Sequence, residues 1–186
     1  MESPYAGRAI IQDNFDHVVI TIPAKKNWFI IIFVGFWMCG WFFGETMASG
    51  SIFRGNFGGD NAFEIFWLCG WTVGGIFALN MLLWNLIGKE IVTVYPGTIT
   101  VRRTGTIFFS NKTYDLNEAK HFRAEQNYYQ DNYWGNRSGN SFLGQNNGTI
   151  KFEYGMKTIK FADSMDEAEG NYILDILKSK KLIKDS

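Results

Sequence analysis

Two stretches of this chain, Trp28 to Gly44 and Ile65 to Gly88, carry no charged residue, and polar sequence lies before, between and after them. An α-helix rises 1.5 Å per residue, so about 17 to 25 apolar residues cross the hydrocarbon core of a bilayer. Both stretches reach that length. The pattern predicts a helical membrane hairpin, with helix one over 28–44, helix two over 65–88, and a Gly- and Ser-rich external loop over 45–64. Helix two is the longer by seven residues, and its last turns are expected to leave the bilayer as a stalk.

Outside the hairpin the hydrophobic period shortens to two. Residues 91–95 read IVTVY, Pro96 and Gly97 make a turn, and TITVRR follows over 98–103. A second turn at Thr104 and Gly105 precedes TIFFS over 106–110, then a short strand around Tyr114 to Arg123. TIKFEY (149–154), a turn at 155–157 and TIKFA (158–162) complete the series. Alternation broken by Gly-bearing turns is the signature of an antiparallel meander. The last element is expected to be a helix capped by Ser164, with Glu167 closing a capping box and Ala168, Tyr172, Ile173, Ile176 and Leu177 on the buried face. A further alternating run, His17 to Ile22, ends at Pro23 just before the hairpin. It predicts a composite soluble domain, residues 89–186 plus a strand donated from the lead-in 1–27.

The hairpin writes nearly the same hexapeptide twice, FWMCGW (36–41) and FWLCGW (66–71). In an antiparallel pair Cys39 and Cys69 are expected at one depth near the outer boundary, with Trp37, Trp41, Trp67 and Trp71 in an interfacial aromatic belt. Gly40 with Gly44, and Gly70 with Gly74 and Ala78, form small-residue ridges of the kind that let membrane helices approach closely. Packing and anchoring is therefore the favoured reading. A Cys39–Cys69 disulfide and a quinone or lipid stacking site among the tryptophans stay open as alternatives. A metal centre or b-type haem is not expected, because the only histidines, His17 and His121, lie outside both spans. Asn80 and Asn85 are the amides of helix two, and Asn80 is expected level with Trp28, near the inner interface.

Charge then orients the hairpin. Lys25 and Lys26 precede it, and Lys89, Arg102 and Arg103 follow, whereas the loop holds Arg54 against Glu45, Asp60 and Glu64. The positive-inside rule places both termini on the cytoplasmic side of the membrane. The formal net charge of +0 says little about nucleic acid, because it averages two kinds of sequence, but the lack of a basic stripe argues against such a partner. The opening residues lack the features of a signal peptide, so the first span is expected to persist in the mature chain.

The segment FEYGMKTIKFADSMDEAEGNYILDIL (152–177) resembles the C-terminal end of bacterial pleckstrin-homology-like (PH-like) domains joined to two transmembrane helices. IPAKKNWFIIIFVGFWMCGW (22–41) is similar to the lead-in and first span of such uncharacterised membrane proteins. The resemblance implies a location in the bacterial inner (plasma) membrane and an α+β soluble domain, a curved antiparallel sheet capped by a C-terminal helix, with no catalytic residues or common activity.

Residues 125–147 depart from a compact domain of that kind. The stretch is rich in Asn and Gly, with Tyr128, Tyr129, Tyr133, Trp134, Arg137 and Phe142 interleaved. It is expected as a solvated insertion or as a recognition loop for a partner protein, since Tyr and Trp suit half-wet contacts.

No nucleophile, base and orienter can be named, and there is no phosphate loop or paired metal-ligand motif, so neither catalysis nor a cofactor is expected. Asp163, Asp166, Glu167 and Glu169 cluster where a helix dipole favours negative charge. No ionisable residue falls within the expected spans, and two helices are too few for an alternating-access transporter unless the protein oligomerises. Two function classes follow. One is a membrane-anchored PH-like interaction or scaffolding module at the inner face. The other is an accessory structural subunit of a larger integral-membrane complex.

Overall fold

The computed structural model describes residues 7–53, 61–108, 110–125, 148–163 and 165–183. It is an α+β chain in two compact units. Residues 25–87 with 106–108 form a helical unit, and the remaining segments form a sheet unit.

The helical unit is an antiparallel pair, α1 (Trp28–Phe53) and α2 (Asn61–Ile87). Asn27 starts α1 by accepting a hydrogen bond from the Ile30 N–H at 3.3 Å, as an N-cap does. The helix then runs nine residues beyond Gly44, where the charge of Glu45 had been expected to end it. Two features carry it past that point. The hydroxyls of Thr46 and Ser49 fold back onto the carbonyls of Phe43 and Thr46 (2.8 and 3.3 Å), and the Glu45 carboxylate accepts a hydrogen bond from Thr72 of α2 at 2.6 Å. The helices are thus of nearly equal length, 26 and 27 residues. Residues 54–60, in place of 45–64, separate them. Each contains a 23-residue window, Trp28–Gly50 and Ile65–Ile87, long and apolar enough to cross a membrane, and only 6% of either window is buried.

In the sheet unit the strands β1 (Ile10–Asp13), β2 (Val18–Pro23), β3 (Lys89–Tyr95), β4 (Thr98–Thr104) and β5 (Ser110–Asp115) form one antiparallel sheet in that order. The strand before the hairpin does pair with the strand after it. Val18 faces Val94 at one end and Pro23 faces Lys89 at the other, and the Ala24 N–H donates to the Gly88 carbonyl at 3.0 Å. Alternation turns Val18, Ile20 and Ile22 inward from β2, and Val92 and Val94 inward from β3. Glu90 is in phase with those valines and is buried with them.

A second antiparallel sheet joins β6 (Ala119–Ala124), β7 (Ile150–Tyr154) and β8 (Lys157–Phe161). Three expectations are corrected here. Residues 106–108 are not a strand, since the Ile107 and Phe108 N–H groups are taken by Asn80 of α2. The single strand expected around 114–123 is the end of β5, a turn and then β6. The last helix, α3, spans Glu167–Ser179 and is capped by Asp166, whose Oδ1 accepts from the Glu169 N–H at 2.8 Å. Ser164 lies outside the described residues. Packed on β6, the helix buries Glu169, Gly170, Ile173, Leu174 and Leu177 and leaves Ala168 and Tyr172 exposed.

Phe152 anchors the core, its ring 5.0 Å from Phe122, 5.5 Å from Tyr114 and 6.1 Å from Phe161 by centroid. All residues of the buried cluster lie in the sheet unit.

Candidate functional site

The helical unit carries the doubled hexapeptide, and the geometry differs between the two copies. The Trp41 indole crosses the seam. Its Nε1–H donates to the Trp71 carbonyl at 3.1 Å, and a Cβ added at Gly75 would overlap its ring. Trp41 therefore requires glycine at that position of α2. Trp37 lies against Trp71 (centroids 6.1 Å), and Trp71, Trp67 and Phe63 continue as a ladder one turn apart along α2, at 6.2 and 6.4 Å.

The glycines expected at the seam lie elsewhere. A Cβ at Gly40, Gly44, Gly70 or Gly74 would meet open space, so the close approach within one hairpin belongs to Gly75. The neighbouring pair Gly74–Gly75 holds the signal in sequence, but only the rotation of α2 says which of the two faces Trp41. Cys39 and Cys69 are both free and exposed.

The seam holds one ionisable group that the expected span boundary had excluded. Glu45 lies within the window Trp28–Gly50. One carboxylate oxygen bonds Thr72, whose hydroxyl also donates to its own helix at the Leu68 carbonyl (2.8 Å), and the other is buried without a hydrogen-bond partner. Asn85 donates to the Met81 carbonyl of its own helix at 2.9 Å. Asn80 accepts from the backbone N–H groups of Ile107 and Phe108 at 2.9 and 3.4 Å.

In the sheet unit the buried polar group is Glu90, 4% exposed. Its carboxylate accepts from the Ala162 N–H at 2.9 Å and lies 3.7 Å from the Arg103 guanidinium. Burial pushes the carboxyl up from its usual range, against the pull of Arg103 and of the Ala162 and Asp163 N–H groups. Loss of hydration likewise raises Asp163, again opposed by Arg103. The cluster ties β3 and β4 of one sheet to the end of β8 in the other. A second network is more exposed. Lys151 donates to Glu125 at 2.9 Å and holds its carboxyl below the usual range, while Arg123 bridges Glu125 and Glu153 at 3.0 and 3.2 Å. The period of two in β3 could have revealed Glu90, because it precedes Val92 and Val94 in phase.

Among the described residues, no three His, Cys, Asp or Glu side chains group closely enough to hold a metal ion. Tyr128, Tyr129, Tyr133, Trp134, Arg137 and Phe142 lie outside the described residues. The exterior of the hairpin is apolar, with Phe29, Phe36, Phe66 and Trp67 among its exposed side chains. Compared with protein-family models, with curated proteins and with solved structures, the chain matches none.

Proposed function

We propose that this chain is a membrane-anchored interaction or scaffolding module, with the hairpin in the bacterial inner membrane and a PH-like domain at its cytoplasmic face. The observation that carries the reading is the exposed apolar exterior of α1 and α2. Phe36 and Phe66, at 83% and 76% exposure, are two of many large side chains turned outward, and contiguous apolar surface of this kind marks a membrane or protein contact. Acyl chains are the solvent that suits such a surface. Both ends of the hairpin return to one sheet through the β2–β3 ladder, which fits two spans with both termini on one side. Lys25, Lys26 and Lys89 make that side the cytoplasm. A four-strand meander β2–β5, a three-strand sheet and a closing helix fit the PH-like arrangement, with β1 as an added edge strand.

The accessory-subunit reading has its own support. Gly40, Gly44, Gly70 and Gly74 leave open space on the hairpin exterior, where helices of another subunit could approach closely. Gentle detergent extraction and affinity purification of the full chain separates the two. A soluble protein that co-purifies, and is lost on deleting residues 128–142, supports the module. Stoichiometric membrane subunits, retained after that deletion and lost when Gly40 and Gly44 become Leu, support the subunit. Extraction of the intact chain by alkaline carbonate would sink both.

A further inference from the structure

We infer that residues 106–108, between β4 and β5, are an interfacial finger that inserts into lipid beside α2 and is held there by Asn80. The inference rests on the membrane reading of the hairpin and adds a third lipid contact to its two helices.

Three backbone polar groups of this segment find side-chain partners, as a dry environment requires. Ile107 and Phe108 both donate their N–H groups to Asn80 Oδ1, at 2.9 and 3.4 Å. The Phe108 carbonyl accepts from the Thr106 hydroxyl at 2.8 Å. A turn in water needs no such arrangement, because solvent serves its amides. In the hydrocarbon region an unpaired N–H or C=O costs several kcal/mol, so irregular backbone there must find partners in protein. Asn80 supplies them from a helix that could span the membrane, where an amide otherwise has no evident purpose.

The side chains agree with the backbone. Ile107 and Phe108 are 42% and 55% exposed, and the Phe108 ring lies 5.9 Å from that of Phe77, an exposed residue of the window Ile65–Ile87. The finger thus extends the apolar exterior of α2 without a break, and this continuity identifies the occupant as lipid acyl chain. Asn80 lies seven residues before the end of α2, roughly 10 Å along its axis. Apolar groups at the boundary of headgroups and acyl chains reach about 5 to 10 Å deep, so the finger lies at that boundary. Residues 106–108 also cluster with the hairpin and not with the strands that flank them in sequence.

Nitroxide accessibility tests this in the full chain, with Cys39 and Cys69 changed to Ser, reconstituted into phosphatidylcholine and phosphatidylglycerol vesicles. Single labels at Ile107→Cys, Phe66→Cys and Lys112→Cys report the finger, the helix exterior and an exposed position of β5. Collision with oxygen relative to a water-soluble nickel chelate should be several-fold higher at 107 than at 112, approaching the ratio at 66. Adding Asn80→Ala should move 107 toward the ratio at 112 and leave 66 unchanged. A water-like ratio at 107 beside a lipid-like ratio at 66 overturns the finger and leaves the hairpin intact. A water-like ratio at 66 overturns the membrane reading itself. An unchanged ratio at 107 in the Asn80→Ala chain refutes the role given to Asn80.

Discussion

Excising the hairpin should leave a folded domain, whereas removing the lead-in before it should not. β2 and β3 are antiparallel neighbours, Pro23 opposite Lys89, and the next bond joins Ala24 to Gly88. A two-residue Asn-Gly turn in place of residues 25–87 would therefore convert them into an ordinary β-hairpin. The excision removes no member of the buried cluster, all of which lies in the sheet unit. Truncation to residues 89–186 has the opposite effect. It strips Val18, Ile20 and Ile22, each at most 2% exposed, and full burial of such side chains contributes about 1.5 to 3 kcal/mol apiece. The loss, about 5 to 9 kcal/mol, is comparable with the whole stability of a small domain, about 5 to 15 kcal/mol. Urea unfolding followed by circular dichroism, with a proton–nitrogen amide spectrum of each chain, measures the difference. The joined chain should give dispersed amides and one cooperative transition, and the truncated chain should give neither. Equal urea midpoints for the two would refute the argument that the donated strand completes the core. An unfolded joined chain would show that the core depends on the hairpin.

Three further outcomes follow from single side chains. Gly75→Ala forces a methyl group into the Trp41 indole and should weaken the hairpin seam by about 1 to 3 kcal/mol; thiol cross-linking of a Glu45→Cys, Thr72→Cys pair by a short bifunctional reagent, in a chain with Cys39 and Cys69 as Ser, should fall several-fold. Burial raises the carboxyl of Glu90, so the folded state keeps the proton to higher pH than the unfolded state, whose carboxyl titrates near the ordinary 4.5. Stability from this group is therefore greatest below about pH 4.5 and declines as pH rises through the folded value; Glu90→Gln in the joined chain should gain on wild type with rising pH, and a difference that is flat or runs the other way contradicts the assignment. Asp166→Ala removes the cap of α3 and should cost about 1 kcal/mol, read as a lower urea midpoint at unchanged slope, whereas Ser164→Ala should change it by less than half as much.

Much of the architecture was legible before any coordinates. Period-two alternation located β2, β3, β4, β7 and β8, and the His17–Ile22 run preceding Pro23 pointed to a strand donated across the hairpin, as the Val18–Val94 pairing shows. Both apolar helices were evident because their composition is a local property. Their ends were not. Glu45 looked like a boundary until its partner Thr72, twenty-seven residues away, kept it inside α1. Strand-like residues 106–108 failed as a strand because the partner for their amides, Asn80, comes from another element.

Periodicity and composition by themselves determined which segments are helix and strand and which of them avoid water, since those preferences belong to short stretches of chain. Rotation, register and pairing belonged to the tertiary structure. α2 could have turned Gly74 or Gly75 toward Trp41, and only packing against α1 selects Gly75. The repeated hexapeptide makes its two copies look equivalent, but only the Trp41 of the first reaches across to the Trp71 carbonyl of the other helix. The inward phase of Glu90 could be read along β3, whereas its partner N–H at Ala162, seventy-two residues on, could not. Long-range pairs of this kind depend on the sum of many weak contacts, and no local pattern encodes that sum.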